Sequence, residues 1–205
     1  MITNVPCSYE GVKFSNISIT TQVQETVDAK YLFPFAGPAF FSRLYQLYPR
    51  RSYNSTFFQR QTWFGDFIIN CPTYYMGFNA VERNSNRSAV WKLIFYAGSE
   101  LHGATADFLA SDEIGYPDAN NQTLAEIMTS YWVSFAVTGD PNPMKVSDAP
   151  YWPGYMSGGG GTVANGDSVG FDVLDVTYTS IKPLPDPDVS EKCEFFGAHG
   201  YDVTN

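Results

Sequence analysis

One histidine stands where a general base is useful. In Ile94 to Phe108, IFYAGSELHGATADF, an apolar run ends in the small residues Ala97, Gly98 and Ser99, and His102 follows. A loop at the end of a core strand holds an imidazole by its scaffold and leaves one ring nitrogen accessible. An unperturbed pKa of about 6.5 then suits it to taking and returning a proton. The other histidine, His199, lies in Ala198-His199-Gly200 near a polar C-terminus, with no strand pattern before it. Cys7, Cys71 and Cys193 allow one disulfide with one thiol left over. Neither the thiols nor the histidines have metal-ligand spacing, so no metal or cofactor is expected. No serine sits in a G-x-S-x-G elbow, the turn that exposes a nucleophilic hydroxyl.

The elements that must position His102 follow from periodicity. Val90 to Tyr96 (VWKLIFY) mixes β-branched and aromatic residues and reads as a strand. Asn121 to Thr138 is the clearest helix, with Leu124, Ile127, Met128, Tyr131, Trp132, Phe135 and Ala136 recurring on one face, and Gly139 to Pro143 stops it. Thr20 to Leu32 reads as a helix with Thr20 or Thr21 as N-cap, and Ala39 to Tyr48 as another. Asp66 to Cys71 reads as a buried helix, and Pro72 to Arg83 as a further one. Val169 to Thr179 alternates and reads as a strand. Residues 1–21, 145–170 and the tail from Pro183 read as loop or extended chain; Gly158 to Gly161 is expected to be a flexible surface loop. No internal repeat and no linker between domains is visible. The class is α/β, helix-rich with a few strands.

Bulk properties exclude several functions. Hydrophobic residues make up 44% and charged residues only 16%, enough apolar material for a large core. The net charge is −9 and Arg50-Arg51 is the only adjacent cationic pair, so neither nucleic acid nor an anionic membrane is an expected partner. No apolar run approaches the roughly 20 residues of a membrane span. Four N-x-S/T sequons, at Asn16, Asn54, Asn86 and Asn121, lean towards secretion and glycosylation. Met1 to Pro6 lacks the charged and apolar regions of a signal peptide, so the expectation is that a leader, if the protein is secreted, lies in a missing N-terminal part.

Taken in order, several stretches resemble the type-B carboxylesterases, the cholinesterase and lipase branch of the α/β-hydrolases. They are Tyr9-Glu10-Gly11 with Phe14, Phe33-Pro34, Leu47-Tyr48-Pro49, Gly65-Asp66-Phe67 and Cys71-Pro72. Leu101-His102-Gly103, Tyr131-Trp132 with Phe135, Thr138-Gly139-Asp140-Pro141-Asn142, Trp152-Pro153-Gly154-Tyr155 and Cys193 continue the series. Each is weak alone; the order is specific. The resemblance covers nearly all of residues 1–205 but only the C-terminal part of a single family domain, the nucleophile belonging to the missing N-terminal part. The turn around His102 is similar to fungal-type esterases.

This resemblance implies a carboxylic ester hydrolase acting through a Ser–Glu–His triad, with Glu10 as acid and His102 as base. It implies a small-molecule or lipid ester as substrate and leaves the oligomeric state open. Without it, Glu10 reads as a solvated loop carboxylate and His102 as a structural histidine. It further implies a disulfide between Cys71 and Cys193, with Cys7 left for a partner elsewhere. Family order places an oxyanion-hole glycine loop far upstream of the acid, so Gly158 to Gly161 is not one. Where the family often has an acid three residues after the histidine, this chain has Thr105, and Asp107 is the nearest carboxylate that could replace it. A non-catalytic, cholinesterase-like binding module and an inactive truncated fragment are the alternatives; the fragment is expected to expose apolar faces and aggregate.

Overall fold

The computed structural model describes residues 1–4, 20–83, 90–97, 104–109, 122–156, 161–162 and 168–200. Its helices are α1 (Gln22–Leu32), α2 (Pro38–Leu47), α3 (Thr56–Gly65), α4 (Cys71–Arg83), α5 (Gln122–Thr138) and α6 (Glu191–Ala198). Its strands are β1 (Ile2–Asn4), β2 (Lys92–Phe95), β3 (Gly161–Thr162), β4 (Ser168–Val169), β5 (Asp172–Val176) and β6 (Ile181–Pro185). Two compact units emerge, one of Met1–Pro6 with Tyr75–Pro187, the other of Cys7–Tyr74 with Asp188–Asn205.

The first unit is built on a mixed sheet in the order β1-β2-β5-β6. β1, β2 and β5 run parallel, with Asn4 opposite Ile94 and Phe95 opposite Val176. β6 returns antiparallel along β5. All four residues of β2 are buried, as in a strand covered on both faces. Leu93, Phe95, Leu174 and Val176 share a core with Leu124, Ile127, Met128 and Tyr131 of α5, against which Trp132 and Phe135 also pack, so the apolar stripe read from the sequence packs except at Ala136, which is exposed. Gly139 ends α5 at φ +77°, a conformation that L side chains rarely adopt. Beyond it, Asn142 Nδ2 donates to the Trp152 carbonyl (2.9 Å) and Asn142 Oδ1 accepts from Trp152 N (2.8 Å). The Thr-Gly-Asp-Pro-Asn stretch thus fastens the buried Trp152, whose indole Nε1 donates to the Lys92 carbonyl (3.1 Å).

A charge pair lies inside this unit. Lys92 and Asp186 have fully buried side chains, with Nζ 2.7 Å from Oδ2, and the Tyr155 hydroxyl donates to the same oxygen. Lys92 opens β2 and Asp186 directly follows β6, so the pair sits at the amino-terminal end of the parallel strands.

The second unit is mostly aromatic packing. Phe33 touches Phe40, Trp63 and Phe67 at ring separations of 5.1, 5.7 and 4.9 Å. α1 begins at the capping box of Thr21, whose hydroxyl accepts from Gln24 N while Gln24 Oε1 accepts from Thr21 N. α3 continues through a π-helical segment, Asp66–Asn70, into α4. The wider turn admits Pro72, which has no amide proton to give and would clash with the carbonyl of a regular turn. Asp66 to Asn70 are half-buried there, not buried as the apolar Phe67-Ile68-Ile69 led us to expect. Cys71 and Cys193 are joined in a disulfide across 122 residues of sequence. Closing so long a loop stabilises by roughly 2–5 kcal/mol.

Three expectations change. Ile2–Asn4 is a strand, not loop, because its partner is 90 residues away and no local pattern announces it. The supposed extended tail is β6 followed by α6. β6 tolerates Pro183 and Pro185 because it is the outermost strand. α6 is capped by Ser190, whose hydroxyl accepts from Cys193 N. Gly161, expected in a loop, opens β3, and the strand read as Val169 to Thr179 is β4 and β5, separated by Gly170 and Phe171.

Glu25 is a fully buried carboxylate of the second unit. It accepts from Trp63 Nε1 (2.8 Å), Tyr45 OH (2.7 Å) and Gln22 Nε2 (2.7 Å). Burial nevertheless outweighs these bonds and raises its pKa. A carboxyl raised above its unfolded value binds its proton more readily when folded. Stability therefore falls as pH rises from about 4.5, the ordinary value, through the folded pKa, and stays lower above it. Chemical denaturation from pH 4 to 7 is expected to show this decline in the wild type and a flatter profile in Glu25→Gln; equal slopes would refute it.

Candidate active site

The carboxyl ends of three parallel strands lie side by side, at Asn4, Phe95 and Val176. In open α/β sheets this rim is where ligands bind. Glu10 comes six residues after Asn4 and His102 seven after Phe95, by the sequence numbers (10 − 4 and 102 − 95). Glu10, His102 and Cys7 lie outside the described residues, as do Asn16, Asn86 and Asn121 and the side chain of Asp107.

What the structure does describe is how the His102 segment is tied at each end. Tyr96 N donates to the Val176 carbonyl (2.7 Å), extending the β2–β5 ladder past Phe95. Ala97 is fully buried and Ala104 nearly so. Thr105 opens a 3₁₀ turn, Ala106–Phe108, its carbonyl accepting from Phe108 N (3.1 Å). The Phe108 ring meets Phe95 edge-on at 5.1 Å, and its carbonyl accepts from Thr129 Oγ1 of α5 (3.3 Å). Ala97 and Ala104, the described residues on either side of positions 98–103, are thus both set against the core. Thr105 has a half-buried side chain that makes no capping bond.

A cleft of about 250 Å³ opens on the same rim beyond β5, between the start of α5, Asp148 and the turn Thr177–Ser180. That turn is closed by Thr177 Oγ1, which donates to the Ser180 carbonyl and accepts from Ser180 N. Tyr178 reaches from it to the Phe108 ring at 6.3 Å.

The remaining candidates separate clearly. His199 ends α6 in ring contact with Phe40 (5.3 Å) and Phe195 (4.9 Å), the surroundings of a packed side chain. Asn54 is exposed in the turn before α3. Among the phenylalanines of residues 35–58, Phe40 and Phe41 are buried, whereas Phe35 and Phe58 are exposed. Among the described residues no group of His, Cys, Asp and Glu could hold a metal ion, and no helix is long and apolar enough to cross a membrane. The Lys92–Asp186 pair was missed in the sequence; the lysine inside an otherwise apolar strand was its only signal.

No family model matches the chain. It is 27% identical over 104 residues to Acetylcholinesterase-1 of Trittame loki, a match covering 44% of this chain and 18% of that protein. In structure it is similar to EstA of Aspergillus niger, with a TM-score of 0.77 at 15% identity over 98% of this chain and 40% of that one. The chain therefore spans less than a fifth of the curated relative and two fifths of the solved one. The likeness to EstA concerns the fold, a helix-rich arrangement around a small mixed sheet that is consistent with part of an α/β-hydrolase.

Proposed function

We propose that the chain belongs to a secreted, fungal-type carboxylic ester hydrolase and supplies two members of a Ser–Glu–His triad, Glu10 and His102, to a serine outside it. The observation that carries this reading is the rim of the sheet: adjacent parallel strands lead into the Glu10 and His102 segments, in the chain order acid then base. His102 takes the serine proton as the hydroxyl attacks the ester carbonyl, and returns it to the leaving alcohol. Glu10 holds the ring tautomer and stabilises the imidazolium. Water then repeats the cycle on the acyl-enzyme. The substrate is a small-molecule or lipid ester. Glycans on Asn16, Asn54, Asn86 and Asn121 accompany secretion, and the exposed Asn54 is open to modification.

A fluorophosphonate probe tests the proposal on protein expressed with the coding sequence upstream of Met1. One equivalent of covalent label, with loss of turnover on a p-nitrophenyl ester, is the expected result. A folded protein that takes no label and turns over no ester would be a binding module instead.

A further inference from the structure

The second unit contains a cavity of about 480 Å³ between the end of α1 and the start of α2, within the range of about 300–1,000 Å³ typical of small-molecule sites. Phe33, Pro34, Ala36, Pro38 and Phe41 form apolar walls. Phe33 is itself held by Phe40, Trp63 and Phe67, so the floor is preformed. Thr26, the one neutral polar residue among the described lining residues, already bonds the Gln22 carbonyl and the Tyr45 hydroxyl. That leaves Lys30 as the only charge among the described lining residues. It is exposed and makes no ion pair with a described residue, and the nearby carboxylates are engaged, Asp28 by Arg60 and Glu25 by Trp63 and Tyr45. Beside the cavity, Val23, Val27 and Tyr31 recur at i, i+4 and i+8 on α1, and they are 74, 64 and 83% exposed.

We propose that this cavity binds a fatty-acid anion, the chain lying on the phenylalanine and proline walls and the carboxylate pairing with Lys30. A neutral apolar ligand would make no use of a lysine that has no ion-pair partner among the described residues, and a multiply charged one would find no second cation among the described lining residues. An exposed apolar stripe beside the opening gives a longer chain somewhere to lie. The proposal is independent of the triad, because it concerns binding alone.

Titration calorimetry on the full chain with octanoate, decanoate and dodecanoate below their micelle concentrations tests it. Affinity is expected to rise roughly three- to fourfold per methylene. Lys30→Gln should weaken dodecanoate binding about fivefold or more and leave dodecanol binding unchanged. Ala36→Trp, which fills the cavity, should abolish both. As a check that needs no variant, a diazirine-bearing dodecanoate should label peptides between Thr26 and Phe41. Absence of binding, affinity indifferent to chain length, equal binding by Lys30→Gln, or label placed elsewhere would each overturn it.

Discussion

Replacing Lys92 by methionine is expected to lower the stability of the protein by about 3–5 kcal/mol, the cost of leaving one member of a buried ion pair alone. Lys92 and Asp186 are both fully enclosed, and Asp186 Oδ2 serves two donors, Lys92 Nζ and the Tyr155 hydroxyl. Remove the lysine and the buried carboxylate loses this counter-charge while the Tyr155 hydroxyl remains, so holding its own charge becomes more costly. The double replacement Lys92→Met with Asp186→Leu removes both charges, and its loss should be far smaller. Denaturant midpoints of wild type, Lys92→Met, Asp186→Leu and the double variant give the coupling directly, with Tyr155→Phe as a measure of the hydroxyl alone. A single-mutant loss under 1 kcal/mol would mean that water reaches the pair.

The second large effect falls on activity. In protein that carries its serine, His102→Gln is expected to cut kcat/KM by roughly 10⁶, about 8 kcal/mol of transition-state stabilisation. Glutamine keeps a polar side chain of similar reach but cannot take a proton. Because Ala97 and Ala104 anchor the segment on either side, the replacement should leave the melting temperature nearly unchanged. Activity within tenfold of wild type would remove His102 from the role of base, and an unfolded variant would be seen in the melting curve. His199→Gln should leave kcat/KM alone, since that ring packs against Phe40 and Phe195.

How much of this was legible depended on distance along the chain. α5 was readable because its seven apolar positions repeat within one helix, and its stop is written in Gly139. The Thr21 cap of α1 was equally local. β1 was not readable: three residues hold no period, and their pairing with β2 depends on a contact 90 positions away. The prolines of β6 hid a strand because proline argues against a strand wherever the neighbours on both sides are unknown. α6 carried a signal that was passed over, Ser190 followed by Glu191 and Glu194 in the first turn. The disulfide came from resemblance alone; spacing could not have chosen among three pairings. For the candidate site the sequence offered the residues and their order, and the structure describes Asn4 and Phe95, the strand ends that precede them, side by side in the sheet.

Those two prolines also make the two rims of the sheet unlike. A proline in a strand must turn its missing donor away from the neighbour it pairs with, so Pro183 and Pro185 leave the outer side of β6 nearly without amide protons. A further strand arriving there would find acceptors and almost no donors. β1, at the opposite rim, is a parallel strand without proline and has no such block. The sheet can therefore lengthen in one direction only, by strands added beside β1, and chance pairing between molecules is discouraged at the other end.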